Sequence, residues 1–276
     1  MATVSRNQST TAAFFDATQW DAALGAGSDL RIPYDVASSF SSAMSSATAF
    51  NSLIVENGKK VGIGSGATPL SIRIDAGGTK TFKYLGSGPE VYIAPSTEIT
   101  TIDWSPSTRA KLVVQTSGTV KNLYLATGTV EVTADVTIDA GTGTIVVTGG
   151  DVTIRKDSAG TNVVPTIIVT GGTVTIERDF AALTVGGNAV VTIDAPTLTV
   201  GASTLYGGTL KIVSGNCGAL TAYGGTLDES GVIKSVTGGA LTMYEGTVRV
   251  KSPGPTAVSW ASETTYGRGP TIRAGR

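Results

Sequence analysis

The stretch GALTAYGGTLDESGVIKSVTGGALTMYEGTVRV, residues 218–250, says one phrase twice. Ala219, Leu220, Thr221, Ala222, Tyr223, Gly224, Gly225, Thr226 and Leu227 return 21 residues later as Ala240, Leu241, Thr242, Met243, Tyr244, Glu245, Gly246, Thr247 and Val248; six of the nine letters are identical. Around the glycines, aliphatic and polar residues alternate. Alternation with period two marks a strand that buries one face and wets the other. A strand–glycine–strand unit returning at a near-constant interval points to stacked repeats.

The pattern extends backwards. From Gly246 and Gly225, matching corners fall at Gly208, Gly187, Gly172, Gly150 and Gly128, in steps of 21, 17, 21, 15, 22 and 22 residues. The same alternation follows most corners: Thr129-Val130-Glu131-Val132, Asp151-Val152-Thr153-Ile154, Thr173-Val174-Thr175-Ile176, Thr209-Leu210-Lys211-Ile212 and Thr247-Val248-Arg249-Val250. After Gly187 it arrives late, at Val191-Thr192-Ile193. After Gly225 it breaks, because Leu227 is followed by Asp228 and Glu229. An outward loop is expected at Asp228 and Glu229, and it is where a partner contact would be sought.

A second short strand precedes each corner, as in Thr144-Ile145-Val146-Val147 or Leu183-Thr184-Val185. Hairpins would need two-residue turns of the Asn-Gly kind, whereas these corners are Gly-Gly or Gly-Thr. Glycine suits a corner that requires positive φ or close backbone approach. The chain is therefore expected to be all-β, a parallel β-solenoid (β-helix) of irregular 15–22-residue coils. Each coil would be unstable without its neighbours.

The solenoid is expected over residues 51–255. Residues 1–50 read as a small, partly helical or extended N-terminal segment: a polar arm, then short helical patterns around Trp20 and Leu24 and behind Asp35. Residues 256–276, with Pro270, Trp260, Arg268, Arg273 and Arg276, read as a C-terminal cap or tail covering open strand edges.

Composition narrows function by exclusion. The 276-residue chain has net charge −1, so the basic footprint of a nucleic-acid binder is missing. It has no His, which removes the commonest general base and metal ligand. The single Cys217 excludes an intrachain disulfide and reads as a small structural thiol. No metal or other cofactor is expected. The N-terminus lacks a secretory pattern and no apolar run is long enough to span a bilayer, so synthesis in the cytoplasm without membrane insertion is expected.

Many β-helical proteins cleave polysaccharides with paired carboxylates. Glu131, Asp135, Asp151, Glu177 and Asp179 are the candidates, with Glu177 and Asp179 the pair to test. Most fall at outward strand positions, where solvated charges are the ordinary reading. Tyr206, Tyr223 and Tyr244 occupy one place relative to their corners and should stack as a ladder. The ladder could brace the coils or serve as a contact stripe for a partner chain or a glycan.

The Thr/Gly/Val-rich coils, the recurring GGTVTI and GGTLKI, and the small polar N-terminal arm resemble bacteriophage virion proteins, most of all capsid decoration (cement) or head-fibre proteins. The resemblance covers about residues 53–250 and is one of style. It implies a non-enzymatic virion structural protein on the capsid exterior, assembling as a homo-oligomer, often a homotrimer, and clamping neighbouring copies of the major capsid protein. Phe14, Phe15 and Trp20 are then the expected anchoring contacts. A receptor-binding tail fibre or spike that grips glycans is the alternative.

Overall fold

The structure is a computed structural model that describes residues 3–5, 29–33, 52–56, 70–72, 81–87, 90–95, 98–107, 110–114, 119–133, 136–139, 141–156, 162–230, 232, 236–251, 258–266 and 271–275. Every regular element among them is a β-strand, and the strands pair in parallel as a β-solenoid. The chain divides into two compact units, Met1–Asp139 and Ala140–Arg276.

In the first unit, one sheet runs through Thr3–Ser5, Asp29–Ile32, Ser52–Val55, Thr81–Tyr84, Glu98–Trp104 and Thr119–Leu125. The other runs through Leu70–Ile72, Glu90–Pro95, Lys111–Val114 and Thr129–Val132. From Ser52–Val55 onward, successive strands alternate between the two sheets, and each pairs with its equivalent one coil on. Register fixes which side chains stack. Leu30, Leu53, Phe82, Ile102 and Leu123 form one interior column, and Ile32, Val55, Tyr84, Trp104 and Leu125 form another. Tyr84 and Trp104 stack with ring centroids 4.5 Å apart.

In the second unit, one sheet runs through Thr144–Val147, Val164–Val169, Phe180–Val185, the later part of Val190–Leu205, Leu220–Ala222, Val236–Met243 and Val258–Thr265. The other runs through Asp151–Ile154, Thr173–Ile176, the earlier part of Val190–Leu205, Thr209–Asn216, Thr226–Asp228, Thr247–Lys251 and Thr271–Gly275. Val152, Val174, Val191, Leu210, Leu227 and Val248 make one interior column. Each such side chain, removed from water, stabilises the fold by roughly 1.5–3 kcal/mol.

The corners explain why the stack closes. Gly128, Gly150, Gly172, Gly187, Gly208, Gly225 and Gly246 all have positive φ, from 57° to 125°. In the second unit, corner carbonyls carry the hydrogen-bond ladder around the bend. Thr173 N donates to Gly150 O at 2.8 Å, Thr226 N to Gly208 O at 2.9 Å, and Thr247 N to Gly225 O at 2.9 Å. A Cβ on Gly172 would stand 2.2 Å from Gly150 O. Positive φ and lack of room therefore act together.

Several expectations change. Thr3–Ser5 and Asp29–Ile32, inside the stretch read as a partly helical or extended segment outside the solenoid, are strands paired in parallel with one another and then with Ser52–Val55. Leu30 and Ile32 are fully buried, and such alternation in a four-residue strand is too short to stand out in sequence. The helical patterns around Trp20 and behind Asp35 lie outside the described residues. The C-terminal segment read as a cap or tail contributes Val258–Thr265 and Thr271–Gly275, which continue the coil in register. Finally, Val190–Leu205 is one 16-residue strand serving both sheets, longer than the short strand expected at Val191-Thr192-Ile193. Gly201 allows the crossing, since a Cβ there would lie 2.0 Å from Ala181 O.

Two adjacent glycines make a controlled test. A Cβ on Gly187 (φ 57°) would sit 2.2 Å from Thr170 O, whereas one on Gly186 would meet nothing within 4 Å. Gly187→Ala is expected to cost at least ~2 kcal/mol in urea unfolding. Gly186→Ala should change stability by under about 0.5 kcal/mol or raise it slightly.

Candidate functional site: a tyrosine ladder and a buried carboxylate

Register in the second unit aligns more than the interior. On the outward face of its first sheet, Thr184, Thr204, Thr221, Thr242 and Thr264 form a column. Two residues before each lies a small residue: Ala182, Ala202, Ala219, Ala240 or Ser262. Two residues after the last four lies a tyrosine. Tyr206 and Tyr223 stack with centroids 5.2 Å apart, Tyr223 and Tyr244 at 4.9 Å, and Tyr244 and Tyr266 at 4.9 Å. Interplanar angles are 9°, 6° and 13°. The spacing follows from the strand spacing of a parallel sheet, so the backbone sets the ladder.

The ladder of Tyr206, Tyr223 and Tyr244 thus gains Tyr266 as a fourth ring. The signal was available, since Ser262-Glu263-Thr264-Thr265-Tyr266 keeps the Thr and Tyr of the earlier coils. Reading residues 256–276 as a cap hid it. The rings remain 38–60% exposed. Their faces are spent on one another, so the surface they offer is ring edges and hydroxyls. None of the small, threonine and tyrosine columns carries a charge. The other sheet differs: Lys211, Asp228 and Arg249 stand in register on its outward face.

Asp228 and Glu229 were expected in an outward loop. The structure corrects this. Thr226–Asp228 is a strand in register between Thr209–Asn216 and Thr247–Lys251, and alternation continues through it. Leu227 points in, Asp228 out, and Glu229 in, only 4% exposed. Glu229 holds the inward position that Ile212 holds one coil earlier. Its main-chain N–H donates to Arg249 O at 2.8 Å. Asp228 builds the following turn by accepting from Ser230 N at 3.0 Å.

A carboxylate on the apolar side needs a partner. Trp260 Nε1 donates to Glu229 Oε1 at 2.9 Å. Room for the indole comes from Gly238, where a Cβ would lie 2.3 Å from Trp260 Cε3. Cys217, Gly238 and Trp260 follow one another coil by coil. Burial pushes the Glu229 carboxyl up to about 7; the Trp260 hydrogen bond opposes this, and Glu263 and Asp228 reinforce it. Burial, aided by Glu229, pushes the Cys217 thiol up to about 12, so it is an inert thiol. Sequence reading singled out Glu229 but not its inward placement, because its partner stands 31 residues on, in a segment read as a tail.

Of the carboxylates weighed for sugar cleavage, two form ion pairs. Glu131 pairs with Lys111 at 3.1 Å in the first unit, and Glu177 with Arg155 at 2.8 Å in the second. Asp151 is an exposed strand residue beside Thr173, and Asp179 leads into Phe180–Val185. Asp135, Phe14, Phe15 and Trp20 lie outside the described residues. Arg178, unmarked by any motif, is 1% exposed and donates from Nε to Arg155 O at 2.9 Å. Among the described residues, no three His, Cys, Asp or Glu side chains converge as a metal site, and no helix is long and apolar enough to cross a membrane.

Compared with known proteins, the chain matches no family model, no curated protein and no solved structure.

The ladder's structural share is measurable. Tyr223→Ala removes two ring contacts and Tyr206→Ala one. At roughly 0.5–1.5 kcal/mol per contact, Tyr223→Ala should cost about twice as much in urea unfolding.

Proposed function

We propose that the chain is a non-enzymatic structural protein of a bacteriophage particle, decorating the capsid exterior and bridging neighbouring major capsid protein subunits. The virion half of this reading rests on the resemblance of the Thr/Gly/Val coils to phage solenoid proteins. The contact half rests on one observation: the uncharged columns of Ala, Thr and exposed Tyr aligned on one face of the second unit. Such a face needs no charge desolvated on docking, while its hydroxyls give direction. Homo-oligomerisation, as a trimer, would multiply a weak contact by avidity.

Glycan gripping by a fibre or spike is the second reading, and the tyrosines are its only support. Sugars stack on ring faces, and here inner faces are covered by neighbouring rings. Only the outer faces of Tyr206 and Tyr266 would serve. A capsid contact along ring edges and hydroxyls fits the geometry better.

Two experiments test the proposal. Antibody labelling of particles from the encoding phage should place the chain on the head; labelling confined to the tail would favour the fibre reading. For the contact, Thr221→Lys with Thr242→Lys should abolish capsid association while leaving far-UV circular dichroism unchanged. Replacing Phe14, Phe15 and Trp20 with Ala is the parallel test of the anchoring residues. Deleting residues 1–20 is a poorer test, because Thr3–Ser5 is a paired strand. Full capsid binding by both sets of variants would remove both assigned surfaces.

A further inference from the structure

The interior of the second unit changes character at its last coil. In the first sheet, inward positions run Ile145, Ile167, Leu183, Ser203, Leu220 and Leu241, and then Glu263. The neighbouring column ends with Thr265 after Met243. Glu263 and Thr265 are exposed, so the strand Val258–Thr265 roofs the apolar column with polar side chains. Beneath that roof lies Glu229, with its carboxyl bonded to Trp260 of the same strand. One strand therefore supplies both the donor that holds Glu229 and the carboxylate that repels it.

We propose that Glu229 and Trp260 form a pH-sensitive latch, in which protonated Glu229 holds the strand Val258–Thr265 on the stack and ionised Glu229 releases it. The physical reason is a competition. Ionised Glu229 would keep a stronger hydrogen bond from Trp260. It would also be a charge on the apolar side, facing Glu263 and Asp228, and paired with no cation among the described residues. Burial is the largest influence on the group, so the penalty wins. Lifting the terminal strand gives Glu229 water and moves Glu263 away in one step.

The groups facing Glu229 are few among the described residues. Its own strand brings Asp228, the terminal strand brings Glu263, and Cys217 stands in the coil below. Among cations whose side chains are described, Thr209–Asn216 brings Lys211 and Thr247–Lys251 brings Arg249, both exposed on the outward face. Neither cation lies on the carboxyl's side of its strand. Cys217 stays a neutral thiol throughout the relevant range.

The sign follows from where the proton is held more tightly. Folded Glu229 keeps its proton up to about 7, well above its ordinary 4.5. The stabilisation is thus fully present below pH 4.5 and is lost as pH rises through about 7. At tenfold per unit, docking of the strand should weaken on the order of a hundredfold between mildly acidic and mildly alkaline pH.

Hydrogen exchange of the full chain, followed by mass spectrometry and corrected for intrinsic rates, reads this directly. Between pH 5 and pH 8.5, opening of the segment 258–266 should rise on the order of a hundredfold, while Thr173–Ile176 stays level. Glu229→Gln keeps an acceptor for Trp260 and should abolish the rise. Glu263→Gln, which leaves the buried group in place, should shrink it. A pH-independent segment in the native chain, or an undiminished rise in either variant, would overturn the proposal.

Discussion

The whole structure depends on a parallel hydrogen bond repeated from coil to coil. Each strand finds its partner one turn later, in the same direction and the same register. That geometry demands a sharp bend between the two sheets, at a place where backbones nearly touch. Glycine alone meets both conditions, and the stacked corner carbonyls of Gly150, Gly172, Gly208 and Gly225 continue the ladder through the bend. Once corners and register are set, the rest follows. Val stacks on Val, Thr on Thr and Tyr on Tyr because the backbone leaves no other choice.

This economy has a consequence for function. A ladder repeats whatever the sequence places at one position, so a single substitution pattern becomes a surface. In the second unit, one face becomes uncharged columns of Ala, Thr and Tyr, and the other sheet carries Lys211, Asp228 and Arg249 in line. Interior columns work the same way, which makes Glu229 conspicuous. It breaks an aliphatic column and is tolerated because Gly238 makes space for Trp260, whose indole donates to it.

Much of the fold was legible in the residues. All seven marker glycines have positive φ, and the strands after them alternate as their letters do. What escaped had physical reasons. Thr3–Ser5 and Asp29–Ile32 are too short for alternation to separate them from coil. The strand Val190–Leu205 runs through Pro196, a residue uncommon inside strands, so its full length does not show in the letters. Asp228 and Glu229 looked like a polar loop because two acids in a row suggest water. In a strand, though, neighbours face opposite ways, and the fate of Glu229 was decided by Trp260 a coil away. Of the site, three tyrosines were legible by position, while Tyr266 and the Glu229–Trp260 contact depended on accepting one more coil.

The central claim is in-register parallel stacking, and a disulfide tests it most directly. Thr221 and Thr242 are paired across adjacent coils, whereas Lys211 belongs to the other sheet. In a Cys217→Ser background, cysteines at 221 and 242 should oxidise rapidly within one chain, since neighbouring parallel strands lie about 4.8 Å apart. Cysteines at 211 and 242 should not. Failure of the first pair under conditions where the second closes would contradict the stacked-coil account.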